Sequence, residues 1–180
     1  MHTLIVGITE SGKTTILKRL VEKHLKNFEV IVLTSIFDAW PQGSHVFDDP
    51  DKFLQTFWAS KKCIAIIDEG SVTIGRYNEA MEKTATQGRH WGHSCYFAVQ
   101  RASQISPNIR AMCSQLFCFS QGQKDSDILS EEFNQPLLQN ASSLKKGEFF
   151  LVRRFGDDGG QYIEKMNAFE FENKGEMREK

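Results

Sequence analysis

The sequence predicts an α/β fold in which a central, mostly parallel sheet is flanked by helices and extended by a C-terminal antiparallel hairpin. Three observations lead to this prediction. Short apolar runs alternate with amphipathic stretches along most of the chain. The run at 64–67 shows no polar alternation, which is typical of a parallel strand covered on both faces. A Gly-rich segment at 156–160 separates two strand-like runs and favours a hairpin. Together these features indicate an α/β domain.

The size and charge of the chain narrow the class further. A chain of 180 residues can bury its own core, and we predict one domain over residues 1–168 with a charged, flexible tail over 169–180. The 22 basic and 23 acidic side chains nearly cancel, which excludes a polybasic protein but leaves DNA binding open. The apolar runs are too short for a membrane span, and Gly7 interrupts the first run too early for a signal peptide. We therefore expect a soluble, cytoplasmic protein.

The periodicity of the apolar residues predicts the individual elements. We predict parallel strands at 3–6, 30–33, 63–67, 95–99 and 116–120. Helices are predicted at 14–25, 51–59 and 78–86. The hairpin strands are predicted at 148–153 and 161–165. The cysteines form no CxxC pair, and we expect all four to be reduced core residues: Cys63, Cys95, Cys113 and Cys118.

The strongest motif lies between the first strand and the first helix. Residues 7–14 fit the phosphate-loop pattern G-x-x-x-x-G-K-[ST] at every fixed position. The glycines let backbone N–H groups surround a triphosphate, and the N-terminus of the following helix adds positive potential. Lys13 is predicted to reach the β- and γ-phosphates, and the Thr14 hydroxyl to bind Mg²⁺. The predicted nucleotide-binding residues are Gly7, Ile8, Thr9, Glu10, Ser11, Gly12, Lys13, Thr14 and Thr15.

Two further strands end in polar residues that suit nucleotide hydrolysis. Asp68 and Glu69 follow the apolar run at 63–67, at the strand end where open α/β sheets bind ligands. Asp68 is predicted to hold Mg²⁺ through its water shell, and Glu69 to polarise the attacking water. Gln100 ends the strand at 95–99, where its amide could contact the γ-phosphate. The sequence therefore predicts an Mg²⁺-dependent hydrolase of ATP, with GTP left open because base recognition uses residues outside these motifs.

The motifs together resemble the FtsK–HerA superfamily of pumping ATPases, which move DNA through a ring. The resemblance covers residues 2–135 and includes the phosphate loop, the I-I-D-E strand, G-R-H-x-G before a strand ending in V-Q-R, and N-I-R before the next strand. The small size of the chain is most similar to the genome-packaging ATPases of tailless icosahedral viruses with an internal membrane. The resemblance implies a RecA-like P-loop domain in which the strand ending in Gln100 lies between the phosphate-loop strand and the Asp68 strand.

The resemblance also implies partners. Such proteins form rings, often hexamers, in which an arginine of one subunit reaches the γ-phosphate bound by its neighbour. Arg89 and Arg110 are the candidates for this arginine, with Arg101 third. The implied function is ATP-driven translocation of double-stranded DNA into a preformed capsid, in the host cytoplasm or at the virion vertex. Capsid-vertex or membrane proteins are further expected partners, and a loop at 71–78 is a candidate DNA contact.

Other classes stay open at this point. A morphogenesis, secretion or conjugation ATPase of the same superfamily would share these motifs. A nucleotide or small-molecule kinase is a second alternative, but it would require a basic lid, and the sequence shows no arginine-rich lid segment. A nucleotide-binding switch with little turnover is a third, and the presence of Glu69 argues against it. His90, His93 and Cys95 stand close together, but we do not expect a Zn²⁺ site because no further ligand pair has a usual spacing.

Overall fold

The structure, a computed structural model, describes residues 1–36, 40–68, 79–156, 159–168 and 171. Its strands are β1 (His2–Val6), β2 (Val30–Leu33), β3 (His45–Phe47), β4 (Ile64–Ile67), β5 (Ser94–Val99), β6 (Cys113–Cys118), β7 (Glu148–Arg153) and β8 (Tyr162–Asn167). Its α-helices are α1 (Lys13–His24), α2 (Pro50–Ala59), α3 (Glu79–Thr86), α4 (Pro107–Met112) and α5 (Gln123–Glu132). Three 3₁₀ helices lie at Gly88–Trp91, Ala102–Gln104 and Pro136–Ser143.

All eight of these strands belong to one sheet, in the order β3-β2-β4-β5-β1-β6-β7-β8. The first six are parallel to one another, whereas β7 and β8 pair antiparallel. The predicted fold class and the C-terminal hairpin are therefore confirmed. The position of β5 between β1 and β4 is the order that the family resemblance implied.

The strands alternate their side chains between two separate cores. Leu4 and Val6 point to the face covered by α2 and α3, while Ile5 points to the face covered by α1. Helix α1 buries its apolar stripe against that second face, including Leu17 and Val21. Because both faces are covered, β2 and β4 are apolar and buried along their whole length, as the run at 64–67 indicated.

Several element boundaries differ from the predictions for physical reasons. Strand β6 begins at Cys113 rather than at 116. The prediction began too late because the polar residues Ser114 and Gln115 interrupt the apolar run. In the structure Gln115 is nevertheless buried and accepts a hydrogen bond from Thr3 Oγ1 (3.2 Å). The short edge strand β3 was missed, since it has three residues, none of them buried. Helix α5 was also missed, because few of its residues are apolar.

The four cysteines lie where the sequence placed them. Each is buried and none is in a disulfide. Most of the predicted tail lies outside the described residues. The exception is Phe171, whose ring lies 5.5 Å from that of Phe117 on the α1 face. None of the helices in the described part of the chain combines the length and apolar character that a bilayer crossing requires.

Candidate functional site

The candidate site lies at the carboxyl ends of the central parallel strands. The backbone directly after β1 is hydrogen-bonded on both sides: Gly7 N donates to Val99 O of β5 (3.2 Å), and Ile8 N donates to Ser120 O beyond β6 (3.1 Å). On the far side of β5, Asp68 N donates to Leu33 O of β2 (2.9 Å). The parallel register thus brings the phosphate loop, Gln100 and Asp68 to one edge of the sheet.

Two glycines of the phosphate loop occupy positions that a side chain would disturb. Gly12 has φ 115°, in the left-handed region that L residues avoid. A Cβ at Gly7 would lie 2.6 Å from Phe119 Cβ and 2.5 Å from Ser11 Oγ. Glu10 also has a positive φ, of 63°. The loop is therefore a tight, specific turn, as the motif requires.

Lys13 begins α1 and folds back over the loop. Its Nζ donates to the carbonyl oxygens of Gly7 (2.6 Å) and Ile8 (2.9 Å). The ammonium group is thus held against the loop, where phosphate oxygens would compete with these two carbonyls. Thr14 and Thr15, in the first turn of α1, are exposed.

Asp68 follows β4 and is 5% exposed. A carboxylate here and the exposed hydroxyl of Thr14 are hard oxygen donors of the kind that Mg²⁺ prefers, so both residues fit the predicted metal role. Glu69, the predicted base, and the candidate DNA loop at 71–78 lie outside the described residues. Their roles stay predictions.

Gln100 follows β5 and is half-buried beside the loop. A second glutamine that the sequence analysis missed lies next to it. Gln121 is 3% exposed, and its Nε2 donates to Ser120 O (3.0 Å) and Gln100 O (3.3 Å). Its Oε1 is buried and has no hydrogen-bond partner within the described residues. An unsatisfied buried amide oxygen costs about 1–3 kcal/mol, so its retention beside a ligand loop is informative.

The C-terminal hairpin braces the phosphate loop from the other side. Gly147 N donates to Ser11 O (3.1 Å), and Ala168 N donates to Gly147 O (3.0 Å). Arg19 of α1 donates through Nη1 to Ala168 O. The residue before β7 therefore binds the loop directly, and the residue after β8 supports it through Gly147. No sequence motif predicted this contact.

The three candidate arginines lie in different surroundings. Arg110 is buried, and its Nη1 donates to Ala102 O (2.9 Å) and Ile105 O (2.8 Å), while its Nε lies 3.6 Å from Glu132. These contacts hold Arg110 in the core of its own chain. They are the physical reason to prefer the other two arginines for a contact with bound phosphate.

Arg89 and Arg101 occupy opposite edges of the sheet. Arg89 is exposed on the 3₁₀ helix that precedes β5, near the amino end of β1. The five residues of β1, at about 3.3 Å each, separate it from its own phosphate loop by roughly 16 Å. Arg101 directly follows Gln100 at the carboxyl edge, and its side chain is 67% exposed. Arg89 therefore lies too far away to contact the phosphate loop of its own chain, whereas Arg101 lies on the same side of the sheet as that loop.

Comparisons with known proteins bear on the fold. No protein-family model matches the sequence, and a search of curated proteins finds no match. Among solved structures, the genome-packaging NTPase B204 from Sulfolobus turreted icosahedral virus 2, in complex with sulfate, is similar with a TM-score of 0.73 and 16% identity. The match covers 89% of this chain and 94% of that chain.

Two further structures share the fold. The pCW3 conjugation coupling protein TcpA, in its monomer form with ATPγS, has a TM-score of 0.69 and 17% identity over 99% of this chain and 65% of that chain. VirB4 of Thermoanaerobacter pseudethanolicus has a TM-score of 0.68 and 10% identity over 96% of this chain and 91% of that chain. At these identities the likeness concerns the fold. The protein therefore shares its fold with these proteins, which is the fold that the motif resemblance implied.

Proposed function

We propose that this protein is an ATP-driven motor that moves double-stranded DNA, and that it packages a viral genome into a preformed capsid. The observation that supports this most is the position of β5 between β1 and β4, which lines Gln100 up with the phosphate loop and Asp68. The same fold occurs in B204, described as the DNA-packaging ATPase from Sulfolobus turreted icosahedral virus, over 90% of this chain.

Each site residue has a role in this proposal. Lys13 leaves the carbonyls of Gly7 and Ile8 to bind the β- and γ-phosphates, while the loop N–H groups hold the remaining oxygens. When bound, Mg²⁺ held by Thr14 and Asp68 would neutralise charge on the phosphates. Glu69 would orient and polarise the attacking water.

The proposal also includes a ring, by analogy a hexamer, in which Arg89 acts on the neighbouring subunit's nucleotide. Arg89 is exposed and lies at the edge opposite its own phosphate loop, so it can contact phosphate only across an interface. The proposed setting is the host cytoplasm or the virion vertex, with capsid-vertex or membrane proteins as docking partners.

A second candidate is a conjugation-type DNA transporter of the same superfamily. It is favoured by the likeness to TcpA, which spans 99% of this chain. The two candidates share the chemistry at the phosphate loop and differ in the DNA that they move and in their docking partner.

The test is steady-state ATP hydrolysis without DNA, with long double-stranded DNA and with single-stranded DNA. We expect double-stranded DNA to stimulate turnover of the parent protein. The Lys13→Ala and Glu69→Gln variants should show no turnover with or without DNA. Stimulation by single-stranded DNA alone would favour the conjugation candidate. Tight nucleotide binding without any hydrolysis would contradict the motor and point to a kinase or a switch.

A further inference from the structure

The two glutamines at the carboxyl edge stand on either side of the first residues of the phosphate loop. Gly7 N binds the carbonyl just before Gln100, and Ile8 N binds the carbonyl just before Gln121. Strands β5 and β6 are the two neighbours of β1, so Gln121 must reach across the end of β1 to touch Gln100. It does so by donating from Nε2 to Gln100 O at 3.3 Å.

The orientation of the Gln121 amide is set by its surroundings. Its nitrogen faces two carbonyl oxygens, those of Ser120 and Gln100, to which the N–H end of the amide can donate and the oxygen end cannot. Its oxygen then faces a buried position without a donor among the described residues. A 180° flip of the Gln121 amide would therefore break both hydrogen bonds.

Asp125 in the first turn of α5 holds the same segment at two further points. Its Oδ1 accepts from Ser103 N (2.9 Å), and its Oδ2 lies 3.6 Å from Nε of Arg101. Asp125 is 4% exposed, whereas the Arg101 side chain is 67% exposed. A buried carboxylate thus forms an ion pair with an exposed guanidinium on its Nε side. Within the described residues no hydrogen bond is found for the terminal nitrogens of Arg101, which leaves its fork available to an anion.

We propose that Gln121 and Asp125 are positioning residues that fix Gln100 and Arg101 so that both read the γ-phosphate in the same subunit. The proposal rests on the proposed function, because it assumes a nucleotide at the phosphate loop. We call the pair Gln121 and Asp125 the clamp. It joins the segment after β6 to the segment after β5, so a shift of either segment on loss of the γ-phosphate moves the other.

The test compares binding of a non-hydrolysable ATP analogue with binding of ADP. We expect the parent chain to prefer the triphosphate, and Gln121→Leu and Asp125→Asn to reduce that preference about tenfold, as the loss of one well-placed hydrogen bond would. The ADP affinity should stay within about twofold of the parent, because the phosphate loop is untouched. Gln123→Leu is the matched control, since Gln123 is exposed and its side chain hydrogen-bonds only to Asp127 (2.9 Å) among the described residues.

A double-mutant cycle separates positioning from independent contact. If Gln121 acts through Gln100, the Gln100→Ala, Gln121→Leu double variant should lose no more preference and no more kcat than Gln100→Ala alone. Multiplying losses would overturn the clamp, as would a Gln121→Leu variant that keeps the parent's preference or a parent that shows none. A parent that binds the triphosphate selectively but never hydrolyses it would contradict the motor and leave this comparison intact. A parent that binds neither nucleotide would overturn both proposals.

Discussion

The two edges of the central sheet handle polar groups in opposite ways. At the carboxyl edge, Lys13 and the loop backbone surround a cradle, and exposed groups such as Arg101 reach outward. At the amino edge, His2 and His93 are buried, each with Nδ1 accepting from a backbone N–H and Nε2 without a partner in the described part of the chain. Burial lowers the pKa of both rings, to about 4 for His2.

This difference follows from the parallel arrangement of the strands. All carboxyl ends meet at one edge, where loops can turn outward and keep charged groups available for a ligand. The amino ends meet at the other edge, which is closed by the 3₁₀ helix Gly88–Trp91 and holds its histidines neutral. In our proposal the carboxyl edge therefore carries the chemistry within a subunit, and Arg89 at the amino edge acts on a second subunit.

The largest expected effect comes from variants that inactivate one edge at a time. Arg89→Ala should lower kcat about 10³-fold while nucleotide still binds, because the transition-state charge loses its arginine. Lys13→Ala should lose both binding and turnover. Mixing the two inactive variants should restore activity, with about a quarter of the sites intact in a randomly mixed ring because each interface draws its two sides independently.

The test measures the hydrolysis rates of the two variants separately and mixed, while light scattering monitors ring assembly. Rates in the mixture that equal the sum of the separate variants would contradict action in trans. The same mixing of Arg101→Ala with Lys13→Ala serves as the control, since Arg101 lies beside its own loop and we expect no complementation.

The second effect concerns the stability of the closed amino edge at low pH. The pKa of His2 falls from 6.5 to about 4 on folding, through burial and then the nearby amino terminus. The unfolded chain therefore binds more protons between these values, so stability is present above pH 6.5 and is lost as the pH falls towards 4. A pKa difference of one corresponds to about 1.4 kcal/mol, so the free energy of unfolding falls by about 3 kcal/mol.

Urea unfolding at pH 7 and pH 4 measures this loss. His2→Gln should show a smaller loss than the parent, since the side chain no longer titrates, and the lowered pKa of His93 accounts for part of the remainder. His45→Gln, at an exposed position on β3, should keep the parent's profile. An unchanged loss in His2→Gln would show that the amino edge is not the source of the acid sensitivity.

The smallest expected effect compares two glycines with positive φ, one at each edge. Gly12→Ala and Gly92→Ala should each destabilise the fold by about 1–2 kcal/mol, because φ is 115° and 79° respectively. Only Gly12→Ala should also weaken nucleotide binding, since Gly92 packs against Lys62 far from the loop. Thermal unfolding and a fluorescent nucleotide titration test this, and equal effects of both variants on binding would argue against a division of roles between the edges.

Much of the site could be predicted because its signals are local. The phosphate loop is a fixed pattern over residues 7–14, and an apolar run followed by Asp68 indicates a strand end whatever the neighbours are. Gln121 could not be predicted in this way. A glutamine after a strand is ordinary, and its meaning comes from β6 lying beside β1, which brings it to Gln100.

The arginines show the same limit. The sequence does not distinguish Arg89 from Arg110, since each precedes a predicted strand, and it places Arg101, which follows one, third. Only packing distinguishes them: Arg110 is used up by backbone carbonyls and Glu132, Arg101 is held by Asp125, and Arg89 is exposed at the far edge.

The sequence by itself determined the α/β class, the phosphate loop and the buried, unpaired cysteines, because these follow from short-range patterns of size, polarity and backbone freedom. The tertiary structure decided which distant residues meet around the site: Gly147 with Ser11, Gln121 with Gln100, and Arg101 with Asp125. Those contacts join residues far apart in the chain, and which of them meet is set by strand order and register, which no local pattern encodes.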